Sequence, residues 1–288
     1  MNIIQVYKQF PTQEDCITHL EKVRWNGKPK CPYCKSLRVT PNEHRYHCNA
    51  CNTSFSVTVG TIFHKTKVDF QKWFLAISLV LNAKKGISAR QLARDIEVNK
   101  NTAWYMLMRI RKAMREYGDL LEGIIEADET YIGGKNKNKH WDDKDKGSQG
   151  RSTKSKTPII GVIQRGGKVK AQKAQNVNAR TLQSFIKANA KQGSHIMTDE
   201  WLAYKGLDKK SFKHSFVKHG QGEYVNGQVY TNTMENFWAL LKRGIFGQYH
   251  HLTDKHLQRY VDEFCFRFNN RANENVFNEV VLQALTIV

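Results

Sequence analysis

Two pairs of cysteines constrain this chain more than any other feature. Cys31-Pro32-Tyr33-Cys34 and Cys48-Asn49-Ala50-Cys51 are both CxxC, with thirteen residues between them. Four thiolates at that spacing suit one tetrahedral zinc ion, each pair forming a knuckle under a hairpin. The competing readings are disulfides or a redox motif. Redox CxxC motifs occur singly near a βαβ unit, and disulfides are rare in reducing compartments. The spacing therefore predicts a structural zinc site made of Cys31, Cys34, Cys48 and Cys51. His47 is a possible substitute ligand, although four cysteines need no help. Cys16 and Cys265 stand alone in apolar surroundings and are expected in cores.

At 288 residues the chain has room for two or three compact domains. With 40% hydrophobic and 25% charged residues, wholesale disorder is excluded. The most apolar stretch, residues 73–81, is nine residues long. A bilayer-spanning helix needs about twenty, so no membrane partner is expected. The first residues lack the charged-then-apolar order of a signal peptide, which leaves the cytoplasm as the expected compartment. Lys and Arg number 46 against 26 Asp and Glu, a net charge of +20. An excess this large points to a polyanionic partner, nucleic acid being the commonest.

Residues 1–26 form a lead-in whose Ile17, Leu20 and Val23 recur at helical spacing. Residues 27–60 are the zinc ribbon, with short strands expected at 45–47 and 54–57. A unit so small depends on its metal, since structural zinc supplies about 10–16 kcal/mol of folding free energy in small zinc peptides. Residues 68–117 read as helices. An apolar helix over 70–83 ends at Lys84-Lys85-Gly86, and Ser88 caps a helix reaching about Glu97. After a break, a second helix is expected from Thr102 to about residue 117, with Ala103, Leu107, Ile110 and Met114 on one face. Helix, short turn, helix is the layout of a helix-turn-helix, whose second helix starts in the major groove. Asn101, Thr102, Tyr105 and Arg109 are then candidate DNA contacts. An ordinary packed helical hairpin has the same pattern.

Over 122–288 the period changes. Strands are expected at 123–132, 158–164 and 169–175, then a helix at 179–192, a strand at 195–198 ending on Asp199, and a short helix through Tyr204. A strand at 215–217 and helices at about 233–243 and 253–269 complete the pattern. Residues 135–157 are polar and charged and read as a long exposed loop. Three hairpin-linked strands, a helix, and a strand returning beside the first resemble the order of an RNase H-like domain. The resemblance implies an α/β (α+β) fold, an RNase H-like mixed sheet flanked by helices, preceded by the small zinc ribbon and the helical DNA-binding segment.

Asp128 lies inside the first of these strands, in Glu126-Ala127-Asp128-Glu129-Thr130-Tyr131. A carboxylate there must be paired, protonated or bound to a metal. Asp199 ends a strand, a usual place for a functional side chain in an α/β domain. Glu235 lies one turn inside a helix, with thirty-five residues between it and Asp199. An Asp on the first strand, a second on the fourth and a Glu about this far on resembles the pattern of DDE-type polynucleotidyl transferases, which include transposases and retroviral integrases. The local sequences go further. Asp128-Glu129-Thr130-Tyr131-Ile132-Gly133-Gly134-Lys135, Thr198-Asp199-Glu200-Trp201 and Thr231-Asn232-Thr233-Met234-Glu235-Asn236-Phe237-Trp238 resemble the motifs of insertion-sequence transposases with an N-terminal zinc ribbon. So do Leu241-Lys242-Arg243-Gly244-Ile245-Phe246-Gly247-Gln248-Tyr249-His250-His251 and, after the ribbon, Thr61-Ile62-Phe63-His64-Lys65-Thr66-Lys67. The resemblance covers roughly residues 15–275.

It implies a catalytic trio of Asp128, Asp199 and Glu235 holding two Mg²⁺ or Mn²⁺ ions, and Lys242 on a phosphate of the bound DNA end. Lys242 follows Glu235 by seven residues, about two helical turns, so both share one face. The chemistry agrees. Two divalent ions ~3.5–4 Å apart can clamp the attacking and leaving oxygens of a phosphodiester, and such hard cations want carboxylate oxygens. Alternatives remain open at each position. Glu126 shares a strand face with Asp128 and could be the ligand instead, although the motif favours Asp128 and predicts that Glu126→Gln keeps most activity. Glu129 and Glu200 are expected to be solvated or to stand behind the ligands. Asn232 is a minor rival for the third position. Glu235 could be an early-helix carboxylate favoured by the macrodipole. Lys242 could be one surface lysine among many, and His250 and His251 receive no catalytic role. The resemblance thus implies a prokaryotic transposase that binds terminal inverted repeats and target DNA as a homodimer or larger assembly, cleaves DNA and joins its 3′-OH. A zinc-ribbon regulator without catalysis and an RNase H-like nuclease that cuts without joining are the rivals.

Overall fold

The computed structural model describes the chain except residues 117, 134–139, 144–155, 201, 205, 208–210, 218–229, 251 and 287–288. Most of the loop expected at 135–157 lies outside the described residues, as do Gly134, Lys135, Trp201 and His251 of the motifs above. The remainder divides into two compact units, residues 1–115 with 272–288, and residues 116–271. Among the described residues no helix is long and apolar enough to cross a membrane.

The first unit opens with α1 (Ile3–Gln9) and α2 (Gln13–Trp25). Helix α2 starts at a capping box: Thr12 Oγ1 accepts from the Asp15 N–H, and the Asp15 carboxylate accepts from the Thr12 N–H. The ribbon follows as an antiparallel sheet of β1 (Val39–Asn42), β2 (Arg45–Cys48) and β3 (Thr53–Phe55). Phe55 is fully buried beneath Trp25 and Tyr46, and the Tyr46 hydroxyl donates to Glu21 at 3.0 Å. The ribbon is thereby fastened to α2 by an aromatic cluster and a hydrogen bond, while its cysteines tie its own two knuckles together. Helix α3 (Phe70–Asn82) is buried over most of its circumference. Helix α4 (Ala89–Asp95) is capped by Ser88 as expected. Helix α5 (Lys100–Ala113) is capped by Asn99 and stops short of residue 117. The four residues assigned to its inner face are all buried.

The second unit is built on a five-stranded sheet. Strand β4 (Ile124–Gly133) is central, β5 (Lys156–Gln164) and β6 (Val169–Lys173) form an antiparallel meander on one side, and β7 (His195–Asp199) and β8 (Lys213–Val217) lie parallel to β4 on the other. The order β6-β5-β4-β7-β8 is that of an RNase H-like fold. Helix α6 (Ala179–Asn189) crosses from β6 to β7. It packs Leu182, Phe185 and Ile186 against Ile125, Ala127, Ile160 and Ile196. The opposite face is covered by α7 (Asn232–Gly244) and α8 (Asp254–Asn269), through Met234, Phe237, Trp238, Leu257, Val261 and Phe264. A π-helical turn, Ile245–Tyr249, joins them, and the Tyr249 hydroxyl donates at 3.1 Å to the buried Glu263 of α8. Strand β4 is covered on both faces, so Ile125 and Ala127 enter one core and Ile132 the other, and its carboxylates Glu126, Asp128 and Glu129 stand in largely buried surroundings.

The last helix, α9 (Val276–Thr286), departs from the expected 122–288 grouping. It belongs to the first unit, where Phe277 packs edge-on to Phe74 at 5.6 Å and the Ile62 N–H donates to the Ala284 carbonyl at 3.0 Å. Its apolar residues Phe277, Val280, Val281 and Ala284 are all buried. Lys156 and Thr157, read as loop, pair with Gly133 and Ile132 and extend β5.

Candidate active site and zinc centre

The four ribbon cysteines converge. Their sulfurs all lie within 4.8 Å of one another, with Cys31 to Cys51 at 3.7 Å and Cys34 to Cys48 at 3.5 Å. A disulfide needs about 2.05 Å. A zinc tetrahedron with bonds of about 2.3 Å sets its sulfurs about 3.8 Å apart, and these separations fit it. Burial pushes the Cys48 thiol up, but the backbone N–H groups of Cys51 and Ala50 and the neighbouring thiols bring it down to about 6. His47 is not among the converging groups and faces Ser54 at 3.4 Å. Cys16 and Cys265 are buried, as expected.

Asp128 and Asp199 meet through strand register. Glu126 stands opposite Met197 in the parallel pair of β4 and β7. Two residues further along each strand, just past the last paired residues, mid-strand Asp128 of β4 comes beside Asp199 at the carboxyl end of β7, where open α/β sheets place their ligands. Their carboxylate oxygens lie within 4.8 Å of each other and of Glu129. Glu235, in the first turn of α7, is exposed and stands outside that tight group, yet its charge reaches Asp128. Burial pushes the Asp128 carboxyl up to about 7, with Glu129 adding to the effect and Asp199 and Glu235 contributing further. Like charges crowded in this way are relieved by a divalent cation, and oxygen-only donors are the kind Mg²⁺ and Mn²⁺ prefer.

Glu129 lies on the strand face opposite Asp128. Of the two expectations for it, solvated or behind the ligands, the first does not hold: it is 7% exposed and accepts a hydrogen bond from the Tyr204 hydroxyl at 3.1 Å. Pairing of β4 with β7 stops at Glu126, so no strand flanks Glu129 on that side and its carboxylate can turn toward the other two. Burial and then the surrounding carboxylates hold the Tyr204 hydroxyl well above its ordinary range, so it remains a donor. Glu200, by contrast, is exposed.

Glu126 is occupied otherwise. It is fully buried, and its oxygens accept from Arg165 Nε at 2.7 Å, Thr233 Oγ1 at 2.9 Å and the Met234 N–H at 3.0 Å. Asp128 receives the indole N–H of Trp238 at 3.0 Å. Trp238 can lie flat enough to do so because Gly161 stands opposite Asp128 on β5. Thr231 Oγ1 donates to Glu235 at 3.4 Å, and Asn232 is exposed at the start of α7. Lys242 is partly exposed in the last turn of the same helix. Sequence reasoning missed Tyr204, Arg165 and Trp238. Only Trp238 carried a signal, as the last residue of a quoted motif.

On α5, Asn101 and Tyr105 are exposed and Thr102 is partly so, as a DNA-reading surface would require. Arg109 is different. Its Nη1 donates to the Ile62 carbonyl and, at 2.9 Å, to the His64 carbonyl, while the guanidinium stacks on the Tyr105 ring with its centre 4.2 Å from the centroid. It braces the loop before α3 instead of reaching outward.

Comparison with known proteins agrees with this architecture. Residues 11–54 match the transposase zinc-ribbon domain, and residues 120–269 match the ISXO2-like transposase domain. A protein in transposable element ISH50 of Halobacterium salinarum is 29% identical over 249 residues, covering 82% of this chain and 84% of that protein. Among solved structures, the Mos1 strand transfer complex aligns with a TM-score of 0.31 and 14% identity over 74% of both chains. A simian T-cell lymphotropic virus intasome aligns with a TM-score of 0.31 and 13% identity over 62% of this chain and 63% of that one. At those scores the alignments carry no argument, and the sheet order rests on the strand pairing itself. The family matches span the ribbon and the sheet with its carboxylates, and the chain belongs to the ISXO2-like transposase family.

Proposed function

We propose that this transposase binds the terminal inverted repeats of its element, cleaves phosphodiester bonds there and joins the freed 3′-OH to target DNA. Asp128, Asp199 and Glu235 would hold the divalent ions for both steps. The observation that carries this reading is the meeting of Asp128, in the middle of β4, with Asp199, at the end of the neighbouring parallel β7, and the charge of Glu235 felt at Asp128. When bound, two Mg²⁺ or Mn²⁺ ions supply activation of the attacking oxygen and stabilisation of the leaving one. The Trp238 indole orients Asp128, Tyr204 orients Glu129, and Glu129 adds a fourth carboxylate to the group. Lys242, two turns beyond Glu235, contacts a DNA phosphate. The zinc ribbon and the exposed start of α5, with Asn101, Thr102 and Tyr105, engage the repeat. A homodimer or larger assembly follows from the need to process two ends together.

A labelled DNA end with a free 3′-OH tests the reading. A transposase transfers the label to target DNA in the presence of Mg²⁺ or Mn²⁺. A nuclease shortens the labelled strand without joining it, and a regulator shifts the DNA in a binding assay while leaving both strands intact.

A further inference from the structure

Helix α7 carries Glu235. The side chain of its N-cap residue, Thr231, does not cap the helix and turns its hydroxyl toward Glu235. The cap comes from the sheet. Glu126 Oε2 accepts from the Met234 N–H, the third residue of the helix, while Oε1 accepts from Thr233 and from Arg165. A carboxylate at a helix N-terminus is favoured by the exposed N–H groups and the macrodipole. Arg165, in the β5–β6 turn, then reaches past Glu126. Its Nη2 donates to the Tyr230 carbonyl at 2.9 Å, and its guanidinium lies over the Tyr230 ring, 3.4 Å from the centroid. The residue entering α7 and its first turn are thus clamped to β4 through one ion pair.

One helical turn later a second tie joins the same two elements, Trp238 to Asp128. Met234 to Trp238 advances about 6 Å along a helix. Glu126 to Asp128 advances about 6.7 Å along a strand. The two ties therefore match in length and hold α7 in register along β4, with Glu235 between them.

We propose that Glu126 and Arg165 are positioning residues that set the location of Glu235 relative to Asp128 and Asp199. The proposal rests on the reading that those three carboxylates bind the divalent ions, and it replaces the expectation that Glu126→Gln keeps most activity. Outer partners of metal ligands typically matter by about 10–100-fold in metal affinity or activity. Glu126→Gln keeps the shape and an acceptor for the Met234 N–H but loses the charge that draws Arg165. Arg165→Lys keeps the charge but not the planar fork that serves Glu126 and Tyr230 together.

The test uses the full-length protein. Mn²⁺ binding is followed by electron paramagnetic resonance without DNA, strand transfer is titrated with Mg²⁺, and end binding is measured without metal. Both variants should weaken Mn²⁺ binding and raise the half-saturating Mg²⁺ by about tenfold or more, with DNA-end affinity within about twofold of the parent. Unchanged metal dependence in both would overturn the proposal. So would a lower unfolding midpoint accompanied by unaltered Mn²⁺ binding, which is the signature of a merely structural pair. If Glu126→Gln fails to fold, Thr233→Val removes one donor and leaves the ion pair, and should shift the metal dependence in the same direction by a smaller factor. Wild-type behaviour of Thr233→Val and Arg165→Lys together would then sink the clamp. Asp199→Asn is run alongside: if it joins DNA normally, the underlying metal reading fails, whereas its inactivity beside normal clamp variants disposes of the clamp alone.

Discussion

A Cβ at Gly161 would come within 2.2 Å of the Met234 methyl and 2.7 Å of the Trp238 ring. This glycine is required by space, since the tryptophan that donates to Asp128 passes directly over it. Gly161→Ala should push α7 away from the sheet, costing about 1–3 kcal/mol of stability by overpacking, and should slow strand transfer. Trp238→Phe keeps most of the ring and removes only the donor, so it should slow strand transfer with a smaller shift of the unfolding midpoint. Denaturant unfolding beside the transfer assay separates the two effects, and equal losses of stability in both variants would contradict this division. At this scale the places of Asp128 and Asp199 on their strands and of Glu235 in a first helical turn were legible, because residue type and local pattern are facts of the nearby sequence. Gly161 was not, because its partners lie more than seventy residues away in the chain. Glu129 is buried, not solvated, and that was not legible because the Tyr204 hydroxyl it accepts from comes from a segment seventy-five residues further along the chain.

At the scale of elements, the zinc ribbon and α5 make separate predictions. The ribbon has only Cys31, Cys48 and Phe55 fully buried at its centre, so its stability depends on the metal. Protein purified without added zinc should return about one equivalent per chain. Cys31→Ser should loosen the ribbon and weaken end binding, while the second unit keeps its unfolding transition; a ribbon that stays folded without metal would contradict the assignment. On α5, Asn101→Ala and Tyr105→Ala should reduce the preference for the terminal repeat over unrelated DNA. Arg109→Ala should instead lower stability, because its guanidinium holds the Ile62 and His64 carbonyls. Competition binding on both DNAs is the measurement, and equal losses on both for Asn101→Ala would remove α5 from sequence reading. The caps at Ser88 and the buried face of α5 were readable because helical period and cap chemistry are local. Strand β1 was missed because it contains Pro41, which is tolerated there only because the strand is an edge of its sheet.

Across the whole molecule, the order of strands was legible from hydrophobic pattern and connection lengths, and it leads to the sheet order β6-β5-β4-β7-β8. The return of α9 to the first unit was not, since an apolar helix carries no mark of which core it will fill. The net charge of +20 agrees with a DNA-bound protein but distributes no roles. Those rest on the carboxylates, and one measurement addresses them directly: metal-dependent strand transfer by Asp128→Asn, Asp199→Asn and Glu235→Gln, with end binding assayed on the same preparations. Metal stabilisation of phosphoryl oxygens is worth several kcal/mol, so each variant should lose joining by orders of magnitude. End binding without metal should be unchanged or slightly tighter, because less negative charge faces the phosphates. Normal joining by Asp199→Asn would contradict the proposed chemistry, whatever the zinc and DNA-binding results.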